Sequence, residues 1–245
     1  MTPLIKKEIS ILPHRSLMPK IGQTGYSVSQ AISELIDNAI DARTDEELVV
    51  DVILDKDKKL IKVTDNGIGM DEQTAANSMK LAYSTKIGKL GEFGLGMKTA
   101  ATCLGKKFRV ITKKENSKEE YLINYDEEKW LKEGDWNKHE MEIREDNNLK
   151  KKGTSIEITD LRFKIYPNLP NNIKKELAIR FAPFIENGEV SLKVNHKYCE
   201  PTPLELKTDY HLPDGKESFR FKLESGNEVY GWRGLLKKGS DKGDY

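Results

Sequence analysis

The sequence has little cysteine and no excess of charge of either sign. Its two cysteines, Cys103 and Cys199, lie far apart, which excludes a disulfide framework and a cysteine zinc pattern and favours a reducing, cytoplasmic location. The 41 Lys and Arg residues against 40 Asp and Glu give a formal net charge of +1, so the charge balance does not indicate a nucleic-acid or membrane surface. We interpret the short basic run at 150–152 as solvated loop charge.

Long apolar segments and repeats are also absent from the sequence. No stretch approaches the length of a transmembrane helix, and residues 1–10 lack the apolar core of a signal peptide, so we expect no membrane partner. The 245 residues and the 37% apolar fraction fit one large soluble domain, or one domain with the start of another.

The apolar spacing predicts strands that pair mostly as hairpins and helices that lie in separate stretches. Helices are expected over 27–42, 71–82, 96–105 and 171–186. Strands are expected near 48–54, 59–64, 107–113, 120–125, 139–144, 154–159 and 189–194. This order predicts the α+β class: a two-layer α/β sandwich with a mixed, mostly antiparallel sheet and helices on one face.

The composition changes after about residue 200. Segments 217–224 and 228–236 alternate like strands but lie beyond the main pattern. We therefore expect residues 1–200 to form the main domain and residues 201–245 to start a second, truncated domain. A small terminal extension of the first domain is the alternative.

The helix predicted over 27–42 is amphipathic, and its polar face carries Glu34, Asn38 and Asp41. At 100° per residue these side chains fall within roughly 60° of each other, opposite the apolar set. A solvated polar face would explain the same pattern, but the acidic residues lie past the helix midpoint, where the macrodipole disfavours negative charge. A carboxylate and an amide oxygen one turn apart suit Mg²⁺, and the carboxylate could polarise a water for attack on a phosphate.

The strand near 59–64 runs directly into Asp65, which is followed by the glycine-rich segment 66–70 (NGIGM). Gly67 and Gly69 permit unusual backbone angles and the close approach of a ligand. A carboxylate at the end of a strand can accept a hydrogen bond from an exocyclic amine such as that of adenine. A simple strand-to-helix turn would explain the same residues. A calcium-binding loop is excluded, because Ala76 stands where its bidentate Glu belongs.

A glycine-rich loop precedes the helix expected near 96–105. Its glycines and the lysine that follows them are Gly88, Gly91, Gly94, Gly96 and Lys98. Such a loop can cradle phosphates at a helix N-terminus, and Lys98 could add a point charge. Met97 interrupts a Walker A pattern and Thr99 interrupts a dinucleotide fingerprint. A flexible surface loop is the alternative.

Taken together, these segments resemble the four boxes of the GHKL superfamily, which includes gyrase B, the large heat-shock chaperone, histidine kinases, MutL and the MORC ATPases. The boxes are 34–42 (ELIDNAIDA), 65–70 (DNGIGM), 91–96 (GEFGLG) and 153–154 (GT). Their order and spacing carry the resemblance, which spans residues 34–154. It implies the Bergerat ATP-binding fold, with ATP and Mg²⁺ as ligands.

The resemblance also implies a role for individual residues. Glu34 would be the general base for the attacking water, Asn38 would hold Mg²⁺, and Asp65 would bind the adenine amine. Gly67 and Gly69 would give the base room, and Met70 would line its pocket. Thr154 would support Asp65 through water, and the lid over 83–97 would close on the phosphates. The nucleotide-binding set expected in this way is Asn38, Asp41, Asp65, Gly67, Gly69, Met70, Gly91, Gly94, Leu95, Gly96, Lys98 and Thr154.

The branch of the superfamily is less sharply indicated. Segment 93–96 (FGLG) resembles the chaperone and MORC branches, and 231–234 (GWRG) resembles the entry to a transducer domain. An ATPase that switches by lid closure and ATP-dependent homodimerisation, with DNA as one possible partner, is our first hypothesis. A histidine-kinase phosphotransferase, a chaperone acting on protein clients, and a binding module without turnover are the alternatives.

Overall fold

The computed structural model describes residues 9, 11–23, 25–44, 46–84, 94–148, 150–201, 206–208, 214–235 and 237. The helices within these residues are α1 (Leu17–Ile21), α2 (Val28–Asp41), α3 (Glu72–Asn77), α4 (Gly96–Leu104), α5 (Glu127–Glu133), α6 (Leu169–Arg180) and α7 (Ala182–Glu186). The strands are β1 (Leu48–Asp55), β2 (Leu60–Asp65), β3 (Gly105–Lys113), β4 (Glu119–Asp126), β5 (Met141–Glu145), β6 (Gly153–Leu161), β7 (Val190–Val194), β8 (Lys197–Tyr198), β9 (Glu217–Lys222) and β10 (Glu228–Arg233). Across this part of the chain, no helix is both long and apolar enough to cross a membrane.

The chain divides into two compact units, Met1–Pro201 and Thr202–Tyr245. In the first unit, the described strands form one eight-stranded sheet in the order β5-β4-β3-β6-β2-β1-β7-β8. Neighbouring strands pair antiparallel, except that β1 and β7 are parallel. The predicted α+β class with a mixed, mostly antiparallel sheet is confirmed.

One face of this sheet is apolar and covered by helices. Alternate residues of β1 (Leu48, Val50, Val52 and Leu54) are buried, as a strand with one covered face requires. Helices α2, α4 and α6 contact the sheet and contribute to the same core. The opposite face carries polar cross-strand pairs such as Lys62–Glu157, whose charged atoms lie 3.0 Å apart. This arrangement is the two-layer sandwich expected from the sequence.

The helix that carries the acidic residues begins at a capping box. The Ser27 hydroxyl accepts a hydrogen bond from the Gln30 N–H, and the Gln30 side chain accepts one from the Ser27 N–H, which forms a capping box. Ile32, Leu35 and Ile36 are buried in the core. Because the apolar stripe faces the core, the opposite face of α2 is available for a site.

Three expectations about helices were wrong in detail. The helix expected over 71–82 ends at Asn77 and is followed by turns. The helix expected over 171–186 is divided at Phe181, and the second piece begins with a proline in its first turn, Pro183, which cannot donate to the preceding helix. Helix α5 was not predicted, although Asp126 caps it by accepting from the Glu128 and Lys129 N–H groups.

The second unit contains a β-hairpin of β9 and β10. Its two strands are joined by the ion pairs Arg220–Glu228 and Arg233–Glu217. The strands agree with the two that the alternating pattern predicts. That this unit starts a transducer-like domain, and that residues 1–200 form an ATP-binding domain, stay predictions.

Candidate nucleotide site

A cavity of about 770 Å³ lies beside α2, the end of β2, and the N-terminus of α4. The expected catalytic residue, Glu34, lines it together with these members of the expected nucleotide-binding set: Asn38, Asp41, Asp65, Gly69, Met70, Gly94, Leu95, Gly96, Lys98 and Thr154. Gly91 lies outside the described residues. The three separate sequence features therefore meet around one space, as their resemblance to a single site implied.

One end of the cavity joins α2 to the start of α4. An oxygen of the Glu34 carboxylate, Oε2, lies 2.7 Å from the point at which a Cβ on Gly96 would stand. The Asn38 side-chain Nδ2 donates to the Glu34 carbonyl oxygen over 2.8 Å, which fixes the orientation of the Asn38 amide. Helix α4 begins at Gly96, so its unpaired N–H groups open at this end. A carboxylate and a helix N-terminus thus share the place where an anionic ligand would be stabilised.

The neighbouring acidic residue on α2 has a different partner. Asp37 Oδ2 lies 3.5 Å from the Arg180 guanidinium of α6. Burial raises the pKa of Asp37, and the Arg180 charge acts against this rise. Asp37 therefore packs α2 against α6, whereas Glu34 lies against Gly96.

The other end of the cavity is built around Asp65. Its Oδ1 accepts hydrogen bonds from the Gly67 N–H over 2.9 Å and from the Thr154 N–H over 3.2 Å. Burial raises the pKa of Asp65 to about 6, while the two N–H donors lower it. The carboxylate is thus held in one orientation in the cavity wall, as a specific acceptor for a ligand must be.

Two of the expected roles at this end stay predictions. Gly67 is not among the lining residues and is buried behind the wall, where a Cβ would stand 2.8 Å from the Ala42 carbonyl oxygen. Its N–H contact orients Asp65, and the expectation that Gly67 gives a base room stays a prediction. The main-chain N–H of Thr154 contacts Asp65 directly, and the contact through water that the resemblance implies stays a prediction.

Thr112 does not line the cavity but contacts two residues that do, Met70 and Thr154, and the sequence reasoning missed it. Its buried hydroxyl accepts from the Met70 N–H over 2.9 Å and lies 3.0 Å from the Thr154 hydroxyl. It therefore joins the glycine turn after β2 to the start of β6. The available signal was its register, since Thr112 follows Phe108 and Val110 on the apolar face of β3, where a polar side chain needs a partner.

The structure describes the residues on either side of the lid's centre but not residues 85–93. Gly94 has φ of +63°, and a Cβ there would collide with the main chain of Tyr83. The two ends of the lid are therefore in direct main-chain contact, which only glycine permits at position 94. Asn77, a buried lining residue that the sequence reasoning also missed, donates from Nδ2 to the Tyr83 hydroxyl over 3.3 Å.

Lys98 lies in the cavity wall but is not directed at open space. Only 3% of the residue is exposed, and its Nζ donates to the Ser78 carbonyl oxygen over 2.7 Å. Burial lowers its pKa to about 8. The described contact joins α4 to the turn after α3, and a phosphate contact by Lys98 stays a prediction.

Fold and cavity together define a class of protein: an α+β sandwich whose ligand cavity combines carboxylate, amide and glycine residues between the helices and the sheet. Residues 26–155, just over half of the chain, match the family described as histidine kinase-, DNA gyrase B-, and HSP90-like ATPase. The chain belongs to this family, and the resemblance drawn from the four boxes is confirmed. The enzyme class of the family, an ATPase, is the class that the sequence predicted.

Curated relatives match between 66 and 96 residues of the chain. The ATPase morc-1 of Caenorhabditis elegans is 32% identical over 96 residues, which are 39% of this chain and 11% of the relative. The ATPase MORC2 of Homo sapiens is 31% identical over 96 residues, covering 36% of this chain and 9% of the relative. The DNA mismatch repair protein MutL of Petrotoga mobilis is 41% identical over 66 residues, covering 27% and 10%. The match thus spans about a tenth of each relative.

Proposed function

We propose that this chain binds ATP with Mg²⁺ and hydrolyses the ATP to ADP and phosphate. The observation that carries the proposal is the pairing of two carboxylates in one cavity. Asp65 is held by two N–H donors at one end, and Glu34 lies against the N-terminus of α4 at the other. Family membership supports ATP binding and hydrolysis in general terms.

At the first end, Asp65 accepts a hydrogen bond from the exocyclic amine of adenine. The N–H donors from Gly67 and Thr154 engage Oδ1, so that the carboxylate keeps one orientation toward the base. Gly69 and Met70 form the wall against which the base packs. Guanine carries a carbonyl in place of this amine, so its carbonyl oxygen would face the Asp65 carboxylate, acceptor against acceptor. The site is therefore selective for adenine.

At the other end, the triphosphate lies at the N-terminus of α4, where Gly94, Leu95 and Gly96 bring main-chain N–H groups close to it. Gly91, outside the described residues, and Lys98 belong to the same phosphate-binding segment. Glu34 takes the proton of the attacking water, and its position beside Gly96 supports this role.

Mg²⁺ would be held by Asn38, with Asp41 nearby on the same face of α2, and would neutralise charge on the phosphates. The oriented Asn38 amide and the neighbouring carboxylates are the hard oxygen donors that this ion prefers. Within the described residues no group of three or more His, Cys, Asp or Glu side chains is arranged to hold a metal. Mg²⁺ in such sites is commonly bound by one or two protein groups together with phosphates and water, which fits this arrangement.

The wider role that we propose is a conformational switch in a cytoplasmic protein. ATP closes the lid over 83–97, two copies associate, and hydrolysis releases them. The names of the relatives, two MORC ATPases and a DNA mismatch repair protein, favour this role over a phosphotransferase and make DNA a candidate partner. The main-chain contact between Tyr83 and Gly94 brings the two described flanks of the lid together.

Phosphate release from ATP by the wild type and by Glu34→Gln tests the proposed hydrolysis. We expect the substitution to lower kcat by about 10²- to 10⁴-fold, the usual contribution of a general base, with little change in nucleotide affinity. Asp37→Asn is the comparison variant, because Asp37 also lines the cavity but pairs with Arg180, and we expect its kcat to stay within about threefold of the wild type. Equal losses in both variants would assign no special role to Glu34.

A further inference from the structure

Two of the three lysines in the basic run at 150–152 form ion pairs and are not the solvated loop charge expected from the sequence. Lys151 Nζ lies 2.6 Å from Glu120 Oε1 and 3.0 Å from Asp146 Oδ2. Lys152 Nζ lies 2.7 Å from Glu46 Oε2 and 3.5 Å from Glu115 Oε2, and only 11% of its side chain is exposed. Lys151 and Lys152 therefore form ion pairs with four carboxylates.

A third lysine holds the same segment from the inside. Lys113, at the end of β3, has a side chain that is 1% exposed. Its Nζ donates to the carbonyl oxygens of Asp146 over 2.6 Å and Asn148 over 2.9 Å. We call Lys113, Lys151 and Lys152 the lysine clamp.

The carboxylates that the clamp engages come from separate parts of the first unit. Glu120 lies on β4, Glu115 precedes β4, Glu46 precedes β1, and Asp146 follows β5. The side chain of Glu120 is 1% exposed; burial opposes its charge, yet hydrogen bonds from Lys151 and Arg144 hold its pKa below the usual range. A buried carboxylate with two cationic partners fixes geometry far better than an exposed pair does.

The clamp lies directly before the residues that touch Asp65. Lys152 is followed by Gly153, which has φ of +111° and whose Cβ, if present, would collide with the Asp65 carbonyl oxygen. Thr154 then donates its N–H to Asp65 Oδ1. Lys113 reaches the same place through its main chain, because its carbonyl oxygen fills the space where a Cβ of Gly69 would stand.

We propose that the lysine clamp positions the Gly153–Thr154 segment against Asp65, so that Lys113, Lys151 and Lys152 are positioning residues of the adenine pocket. The inference rests on the proposed function. The hydrogen bond from Thr154 spans 3.2 Å, near the long limit for an N–H donor, and a small displacement of the segment breaks it. Without that donor the Asp65 carboxylate loses one of the two contacts that orient it toward the base.

The test compares three substitutions that each remove one positive charge from the same run: Lys150→Met, Lys151→Met and Lys152→Met. Lys150 is exposed, and the described part of the chain shows no ion pair for it, so its variant controls for the loss of charge near an anionic ligand. The dissociation constant of a non-hydrolysable ATP analogue with Mg²⁺ is measured by calorimetry from pH 5 to 8, kcat is measured at saturating ATP, and circular dichroism checks folding.

We expect Lys151→Met and Lys152→Met to bind the analogue about tenfold more weakly at pH 7.5, the effect of losing one hydrogen bond to a charged group. Their kcat should stay within about threefold of the wild type, since the reacting end is unchanged. As the pH is lowered, both variants should lose binding at a higher pH than the wild type does. The Thr154 N–H lowers the pKa of Asp65, so the loss of this contact lets Asp65 take up a proton at a higher pH. Lys151→Arg and Lys152→Arg keep the charge and should restore the affinity.

Several results would overturn the inference. If folded Lys151→Met and Lys152→Met bind like Lys150→Met, or weaken binding with no change in its pH dependence, the clamp does not position the pocket. A variant that fails to fold is replaced by its arginine counterpart, and an arginine variant that is folded but binds tenfold more weakly contradicts the clamp as well. If the wild type does not bind the analogue, the proposed function fails and the clamp's role fails with it.

Discussion

Glu34 and Gly96 lie side by side at one end of the cavity, with the Glu34 Oε2 atom 2.7 Å from the point at which a Cβ of residue 96 would stand. The contact joins the polar face of α2 to the first residue of α4. This position favours glycine, because the Cβ of any other residue would occupy the space of the carboxylate. The position of the proposed base thus depends on a residue in another element.

Gly96→Ala should lower kcat by about 10- to 100-fold, because the added methyl group displaces the Glu34 carboxylate by a fraction of an ångström to an ångström. The protein should remain folded, since the colliding atom is the end of a flexible side chain and alanine favours a helix more than glycine does. Steady-state phosphate release checks the loss of kcat, and thermal unfolding checks that the protein remains folded. A kcat within twofold of the wild type would show that Glu34 needs no such space.

Thr112→Val should weaken nucleotide binding by about tenfold. Valine has nearly the same shape but removes the acceptor of the Met70 N–H, which is left unsatisfied in the pocket wall. The free energy of unfolding should fall by about 1–3 kcal/mol for the same reason.

Thr102→Val is the matched control for this substitution, because Thr102 is equally buried but its hydroxyl donates within α4, to the Lys98 carbonyl oxygen over 2.6 Å. We expect its nucleotide affinity to stay within about twofold of the wild type, and Thr112→Ser to retain binding. Equal losses of affinity in Thr112→Val and Thr102→Val would mean that general loosening, and not the Met70 contact, reduces binding.

Asp65→Asn should stabilise the nucleotide-free protein at neutral pH. The pKa of Asp65 rises from 3.8 to about 6 on folding, so the folded state holds the proton more tightly. The ionised carboxylate therefore costs stability above pH 6, the cost diminishes between pH 6 and 4, and it vanishes below the unfolded pKa. About two pKa units correspond to at most about 3 kcal/mol, and access of solvent through the cavity reduces this value.

Urea unfolding of the wild type and Asp65→Asn at pH 8 and pH 4 checks this prediction. The variant should be the more stable protein at pH 8, by about 1–3 kcal/mol, and equal to the wild type near pH 4. A variant that is less stable at pH 8 would show that the charge of Asp65 is compensated in the folded protein.

The parts of the site that follow local rules could be predicted from the sequence. The helical spacing of Glu34, Asn38 and Asp41 sets one face of α2, and the Ser27–Gln30 capping box marks its start. The short helix α5 also had a local signal, a capping Asp126 followed by two acidic residues, but its seven residues give too short a pattern to separate it from a loop.

The parts that depend on distant partners could not be predicted. Lys151 looks like an exposed charge in the sequence, and its buried partner Glu120 lies 31 residues away on another strand. Thr112 and Met70 are 42 residues apart, and only the strand register brings them together. The local pattern indicates which residues are polar, whereas the sheet determines which of them meet.

The most direct test is a calorimetric titration of a non-hydrolysable ATP analogue with Mg²⁺ into the wild type and Asp65→Asn. We expect saturable binding to the wild type and a loss of at least about 100-fold in the folded variant, because asparagine offers a neutral acceptor and an amide donor where the adenine amine needs a carboxylate. Equal binding by the two proteins would move the adenine pocket away from Asp65 and contradict the proposed site.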